Sequence, residues 1–525
     1  MLKQILPILC VLAIPAGLVP LNAASAEAKS VSQYGITWTF DKPHRVGQFV
    51  TGDWWVVGPV TVVSVSPTPG PASADEPSTS AKSIYGAPSL SDDKRMRNGS
   101  MIVLGPDKDG RFEKQGYDSR ALNYDPAMTL EYPVHLPVNQ SLISTISSEA
   151  YKDGKLETPY IPGALMKAQA KQILGATGAL ALDTAAVLTC LDKEPPADAF
   201  RPAYAGTDKT IYQTKDIHWN LLPNLKPVAS TPDWEKMARI YERPWLDHIG
   251  SWVIQYSAPG QNQPAYGGDV TNMNAYASLM LLLDAPREQK QKLMIGFLQY
   301  GIDLHGLALC GRQWFSDGGH WMGRKWPIVF TSIMLDKPGW LAFPPVSSSN
   351  PVLYGKMELD SGSEGPAPST FFSEDLDTYY GKGADGQDVL WQVVFHTRPR
   401  KPYQEKPYAE WTEDEKFQNN YLWIVGNWNS FALAALYMKA KATWNHDAFF
   451  DFCDWYMKPG QLRYAPKGPK DGQTEPTRLY HTDQFVAEMW DTYRAGAPAQ
   501  ANGKDNLKWV WTADKKGHLV QNPKP

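Results

Sequence analysis

Cysteine is scarce in this chain of 525 residues: there are four, Cys10, Cys190, Cys310 and Cys453. With Cys10 inside an apolar leader, at most one disulfide can form from the rest, which excludes a small scaffold stapled by disulfides. No Cys-x-x-Cys pair and no close Cys/His spacing occurs, so nothing supports a structural zinc site. An excess of positive charge is also missing. Lys and Arg number 51 against 55 Asp and Glu, a net charge of −4, which gives no basic field for gripping nucleic acid or an anionic membrane surface. Past the leader, no uninterrupted apolar run is long enough to span a bilayer.

The leader itself reads as an export signal covering residues 1–26. Lys3 supplies its positive start, Ile5 to Leu21 its apolar run, and Ala24-Ser25-Ala26 the small residues of a cleavage site. The expected destination is periplasmic or extracellular, with no membrane insertion once the signal is removed.

Aromatic rings and turn formers are abundant: 20 Trp, 25 Tyr and 17 Phe, beside 41 Gly and 43 Pro. Residues 27–155 read as a β-rich region. Gly35 to Phe40 alternates in period two, and Asp53 to Val63 is dense in β-branched and aromatic residues between turn formers. From about residue 160 the pattern turns helical, with segments at Ala164 to Cys190, Trp234 to Tyr256, Val270 to Leu283, Arg287 to Leu309, Gly319 to Leu335, Asn420 to Lys441, Asp447 to Met457 and His481 to Arg494. Successive long helices predict helical hairpins closing into an (α/α) toroid over 156–495. The expected fold class is thus mainly α, with a β-rich N-terminal region. A Pro-, Gly- and aromatic-rich insertion at 337–418 suits a lid or cleft wall, and 496–525 forms a C-terminal tail.

Polar residues gather at four helix starts. Tyr266-Gly267-Gly268-Asp269 leads into Asn272, Asn274 and Tyr276. Asp317-Gly318-Gly319-His320 leads into Trp321, Arg324 and Lys325. Asn419-Asn420-Tyr421 and Asn427-Trp428-Asn429 mark a third start, and Tyr480-His481-Thr482-Asp483 a fourth. If these helices form an inner ring, the four starts share one mouth. Each group also has a structural reading: Asx residues cap helices, and residues four apart such as His320 and Arg324 merely share a helix face. His248, Tyr300 and His305 fall on intervening helices and read as packing residues.

Tyr, His, Asn and Arg without a metal motif suit β-elimination of an acidic polysaccharide. The C5 proton of a uronate becomes labile only when its carboxylate is neutralised, by donors such as Asn, His or Arg. A Tyr or His then takes the proton, and a basic Tyr needs nearby cations such as Arg324 or Lys325. Trp314, Trp321, Trp326, Trp423 and Trp428 offer apolar faces for sugar rings.

The stretch Tyr266 to Tyr276, the segment Trp314-Phe315-Ser316-Asp317-Gly318-Gly319-His320-Trp321-Met322-Gly323-Arg324-Lys325-Trp326-Pro327, and Tyr480-His481-Thr482-Asp483 resemble secreted (α/α)-toroid polysaccharide lyases. Alginate and glucuronan lyases are the nearest kind, polysaccharide lyase family 38 among them, and the likeness spans roughly 233–494. The resemblance implies a lyase acting on a uronate polymer with no obligatory cofactor. Tyr266, Asn274, His320, Arg324 and His481 take the catalytic roles, with Tyr266 as base candidate. Asn272, Tyr276, Trp321, Lys325, Asn420 and Tyr480 contact substrate.

Two other classes stay open. An inverting glycoside hydrolase needs paired carboxylates, for which Asp269, Asp317 and Asp483 stand at the same starts and Glu374 and Asp375 in the insertion. A non-catalytic glycan-binding protein would use the Trp and Asn residues without turnover. On the catalytic reading, His320→Ala and Arg324→Ala are each expected to leave folding intact and abolish turnover.

Overall fold

Local sequence accounts for the first hairpin. Strand β1 (Ala26–Gln33) returns as β2 (Ile36–Gln48) through Tyr34-Gly35, with Gln33 opposite Ile36. Both turn residues have positive φ, 50° and 83°, as a two-residue turn matched to the strand twist requires. Along β2 the expected alternation appears: Ile36, Trp38 and Phe40 are buried, and Thr37 and Thr39 between them are half-buried.

The computed structural model describes residues 25–70, 96–148 except 107–111, 113, 120 and 122–123, 181–249, 257–341 except 265–266, 313 and 315–318, 372–378 except the side chain of 376, 410–415 except 414, 425–458 and 482–500. For 379–382, 388–392, 509–513 and 519–523 it describes the backbone. Of the expected export signal at 1–26, residues 1–24 lie outside the described residues, and Ala26 opens β1.

Six further strands complete the main sheet: β3 (Trp54–Val57), β4 (Val60–Ser66), β5 (Ser100–Ile102), β6 (Val134–Leu136), β7 (Gln140–Ser147) and β8 (Leu182–Leu191). Their order is β5-β7-β8-β3-β2-β4-β6, with β1 also on β2. All pairs are antiparallel except β3 with β8. This large mixed sheet curls into half a barrel and overturns the expected mainly-α toroid.

Strand β8 shows why the sequence misled. Its residues fall within the expected helix Ala164 to Cys190, yet they pair with β3 and β7. A short apolar run buried on two faces has no amphipathic period, so strand and helix cannot be told apart from it. The packing resolves the period: Ala186, Leu188 and Cys190 enter the core inside the curl with Trp38, Phe40 and Val62, whereas Ala185 and Val187 join the core shared with the helices. Residues 164–180 lie outside the described residues.

Nine helices follow among the described residues: α1 (Trp234–Ile240), α2 (Gly267–Leu281), α3 (Arg287–Leu309), α4 (Lys325–Met334), α5 (Ser373–Asp377), α6 (Trp428–Tyr437), α7 (Lys441–Trp444), α8 (Asp447–Tyr456) and α9 (Gln484–Tyr493). Here the periodicity was a fair guide to position, and α3 has the expected bounds. Helix α2 packs on α3, α6 and α9; α3 packs on α1 and α4; α6 packs on α8. Within the insertion, α5 leads into a hairpin of β9 (Thr378–Lys382) and β10 (Asp388–Gln392), and the expected tail holds another, β11 (Trp509–Ala513) with β12 (Leu519–Pro523). No described helix is long and apolar enough to cross a membrane.

A buried ion triad ties sheet to helices. Arg201 donates through Nε to Asp53, beside β3, at 2.6 Å, and through Nη1 and Nη2 to Asp303 of α3 at 2.8 and 2.6 Å. The bidentate fork fixes geometry as well as charge.

Candidate functional site

Glycines allow the helix starts to meet. A Cβ on Gly267, the first residue of α2, would lie 2.1 Å from the Gly319 carbonyl oxygen and 2.3 Å from that of His320. Gly323 has a φ of 87°, and a Cβ there would sit 2.9 Å from the Thr271 backbone. The 319–323 loop therefore lies directly on the first turn of α2. Gly267→Ala is expected to push this contact apart and to cost about 1–3 kcal/mol, measured as a lowered denaturation midpoint.

Asn274 fastens the same contact. Its Nδ2 donates to the Gly323 carbonyl at 2.8 Å, and its Oδ1 accepts from the Tyr241 hydroxyl at 2.8 Å. From the other side, the Gly323 N–H donates to Glu374 Oε1 of α5 at 2.7 Å. The third and fourth starts join through asparagine: Asn427 Nδ2 donates to Asn272 Oδ1 at 2.6 Å, and Asn427 Oδ1 accepts from the Asp483 N–H at 2.9 Å. Asn429 reaches Thr482 Oγ1 at 3.3 Å. Residues from all four expected starts are thus linked in one region, together with α5 of the insertion.

The cations here are already engaged. Arg324 is fully buried; its Nη2 donates to Asp247 Oδ1 at 2.9 Å, and its Nη1 to the carbonyls of Met322 and His320 at 2.7 and 3.2 Å. Burial alone would raise the Asp247 carboxyl, but the Arg324 charge and hydrogen bonds from Arg324 and Tyr300 hold it below the usual carboxylate range. Lys325 donates to Asp375 at 2.6 Å and lies 4.6 Å from the Trp444 ring centroid. Arg324 is thus held in a buried ion pair, so its truncation is expected to cost stability, where the sequence suggested that folding would stay intact.

Two carboxyls stand apart. Burial pushes Asp269, in the first turn of α2, up to about 7, and it has no hydrogen-bond or ion-pair partner among the described residues. Glu374 is completely buried and is likewise pushed by burial to about 7, against the opposing effects of the Gly323 N–H and Lys325. Its Oε2 has no hydrogen-bond partner. Both groups carry protons below neutrality, which turns them from acceptors into donors.

His320, Trp321 and Tyr276 are buried in this region, and the Arg312 guanidinium lies 4.3 Å from the Trp321 ring centroid. Asp483 is spent as the N-cap of α9, accepting from the Phe485 N–H at 3.0 Å. Tyr266, Asp317, Asn420, Trp423, Tyr480 and His481 lie outside the described residues. The indole N–H groups of Trp314, Trp321, Trp326, Trp428 and Trp444 are buried without hydrogen-bond partners.

Sequence reasoning missed Tyr241 and Asp247, which lie 33 and 77 residues from the groups they hold and carry no local signal. Of the three expected packing residues, Tyr300 donates to Asp247 at 2.5 Å, His248 lies between the hydroxyls of Tyr117 and Tyr204 at 3.1 and 3.3 Å, and His305 stacks on Trp340 with centroids 4.0 Å apart. Among the described residues, no group of three His, Cys, Asp or Glu is placed to hold a metal ion. Comparison with protein-family models, curated proteins and solved structures finds no match.

Proposed function

We propose that the chain is a polysaccharide lyase that cleaves a uronate polymer of the glucuronan or alginate type by β-elimination at the converging helix starts. The observation that carries this reading is the pair of buried carboxyls, Asp269 and Glu374, both raised to about 7. A protonated carboxyl can donate to the substrate carboxylate and withdraw its charge, which lets the C5 proton leave. With Arg324 committed to Asp247, Glu374 takes over the neutralising role. Asp269 protonates the leaving glycosidic oxygen, and Tyr266 or His320 accepts the C5 proton. Both carboxyls are covered, so substrate reaches them only as the covering groups part, as in enzymes whose lids close over the reaction.

An inverting hydrolase fits less well. It requires one protonated and one ionised carboxyl, with environments that push the two apart, whereas Asp269 and Glu374 are pushed the same way. The test is incubation with glucuronan, alginate and neutral glucans while ultraviolet absorbance and reducing ends are followed together. Absorbance and reducing ends rising together on a uronate polymer support the proposal; reducing ends without absorbance, or cleavage of a neutral glucan, contradict it.

A further inference from the structure

A cavity opens between the 203–212 segment and the C-terminal half of α3, lined by none of the described residues of the helix starts. Its volume is about 260 Å³, and its walls include Leu104, Asp208, Tyr212, Ile302, His305 and Leu309. Two of its lining residues, Leu104 and Leu309, are among the few large apolar side chains exposed on the described surface, at 51% and 39%. Its walls mix apolar and polar surface in nearly equal parts, and the placed polar groups set what it can select.

Among the described residues, Asp208 is the one acidic side chain in the lining, which holds no Lys or Arg. Asp208 Oδ1 is held by the Thr210 N–H and hydroxyl at 3.0 and 2.7 Å, which fixes the carboxylate at the wall. Its charge is felt at His305 and Tyr212, and at Cys310, where the Lys209 ammonium opposes it more strongly; all three line the cavity. Two lysines lie close but outside the lining: the Lys337 ammonium is 6.0 Å from the Tyr212 ring centroid, and Lys209 Nζ is turned to the backbone, donating to the carbonyls of Ala203 and Gly206 at 2.6 and 2.9 Å, with those of Tyr204 and Ala205 at 3.3 and 3.4 Å. Burial shifts the Lys209 ammonium down to about 7, so above neutrality it offers the cavity still less positive charge. His305 is pushed by burial down to about 4 and is neutral at pH 7. Aromatic backing comes from Trp340, which stacks on His305 and meets Tyr212 edge-on at 5.4 Å.

We infer that this cavity is a binding site for a small organic ammonium, with the cationic head at Asp208 and the apolar body between Leu104, Ile302 and Leu309. A carboxylate at the wall of a recess whose described lining holds no Lys or Arg favours a cation, and aromatic rings nearby add to that preference. The same field repels uronates, so the site is separate in chemistry from the proposed lyase site and does not depend on that reading.

Three probes of nearly equal shape test it on the full chain: benzylamine, benzyl alcohol and benzoate, titrated by saturation-transfer NMR or calorimetry at pH 7. Benzylamine is expected to bind about fivefold or more tightly than benzyl alcohol, and benzoate more weakly than either. Asp208→Asn, at an exposed position whose amide still accepts from Thr210, should bring benzylamine down to the level of the alcohol. Leu309→Arg should weaken all binding by filling the mouth with a cation. Equal binding of the three probes, preference for benzoate, no detectable benzylamine binding, or benzylamine affinity unchanged in Asp208→Asn would each overturn the assignment.

Discussion

Arg324→Ala is expected to destabilise the protein by about 3–5 kcal/mol, the usual range for removing one partner of a buried ion pair. Both partners are almost fully buried, Arg324 at 0% and the Asp247 side chain at 1% exposure. Truncation leaves the Asp247 carboxylate with the Tyr300 hydroxyl as its donor among the described residues and frees the carbonyls of His320 and Met322 that shape the 319–323 loop. Chemical denaturation reads the loss directly. A midpoint like that of the wild type would mean that Arg324 is not the tie described above. Arg324→Lys should recover only part of the loss, since one ammonium cannot reproduce the fork.

Glu374 gives the second large effect, and this one falls on turnover. Removing the donor in Glu374→Leu is expected to lower kcat by about 10²–10³, as removing a single charge-stabilising donor does elsewhere. Glu374→Gln keeps a donor and should retain much of the rate, but its pH profile should change. In the wild type both Asp269 and Glu374 must hold protons, so log kcat/KM falls above about pH 7 with a slope near two; in the Gln variant one group remains and the slope drops toward one. Equal slopes in the two proteins would remove Glu374 from the reaction.

The same substitution has a stability signature of known sign. The folded carboxyl is raised to about 7, so between its unfolded value, about 4.3, and 7 the folded state binds more protons than the unfolded one. Ionisation therefore costs stability as pH rises through that window. Glu374→Gln escapes the cost and should gain on the wild type from about pH 4.5 to 7, by at most about 1.4 kcal/mol per pH unit, then level off. Paired denaturation curves at pH 5 and pH 7.5 measure it.

How much of this was readable in advance depended on distance along the chain. Local signals worked: the Tyr34-Gly35 turn, the alternation in β2 and the bounds of α3 all follow from neighbours in sequence. The sheet was under-read because β8 is buried on both faces and loses its period, and because its partner β3 lies more than a hundred residues earlier. The polar helix starts were visible as Asx- and Gly-rich entrances, and Asn272, Asn274, Asn427 and Asp483 do lie in one hydrogen-bonded region. Their partners were not visible. Nothing in the sequence around Asp247 announces that it neutralises Arg324, and Glu374 in the insertion gains its raised proton affinity chiefly from the burial that folding creates, with the neighbouring Asp375 charge adding to it.

The most direct measurement is the molar ratio of unsaturated ends to new reducing ends released from glucuronan and from alginate, taken early in the reaction. Elimination at a uronate leaves one conjugated double bond for every chain cut, so the account predicts a ratio of one on the polymer that is cleaved. Reducing ends without ultraviolet absorbance would contradict it and move the chemistry to hydrolysis.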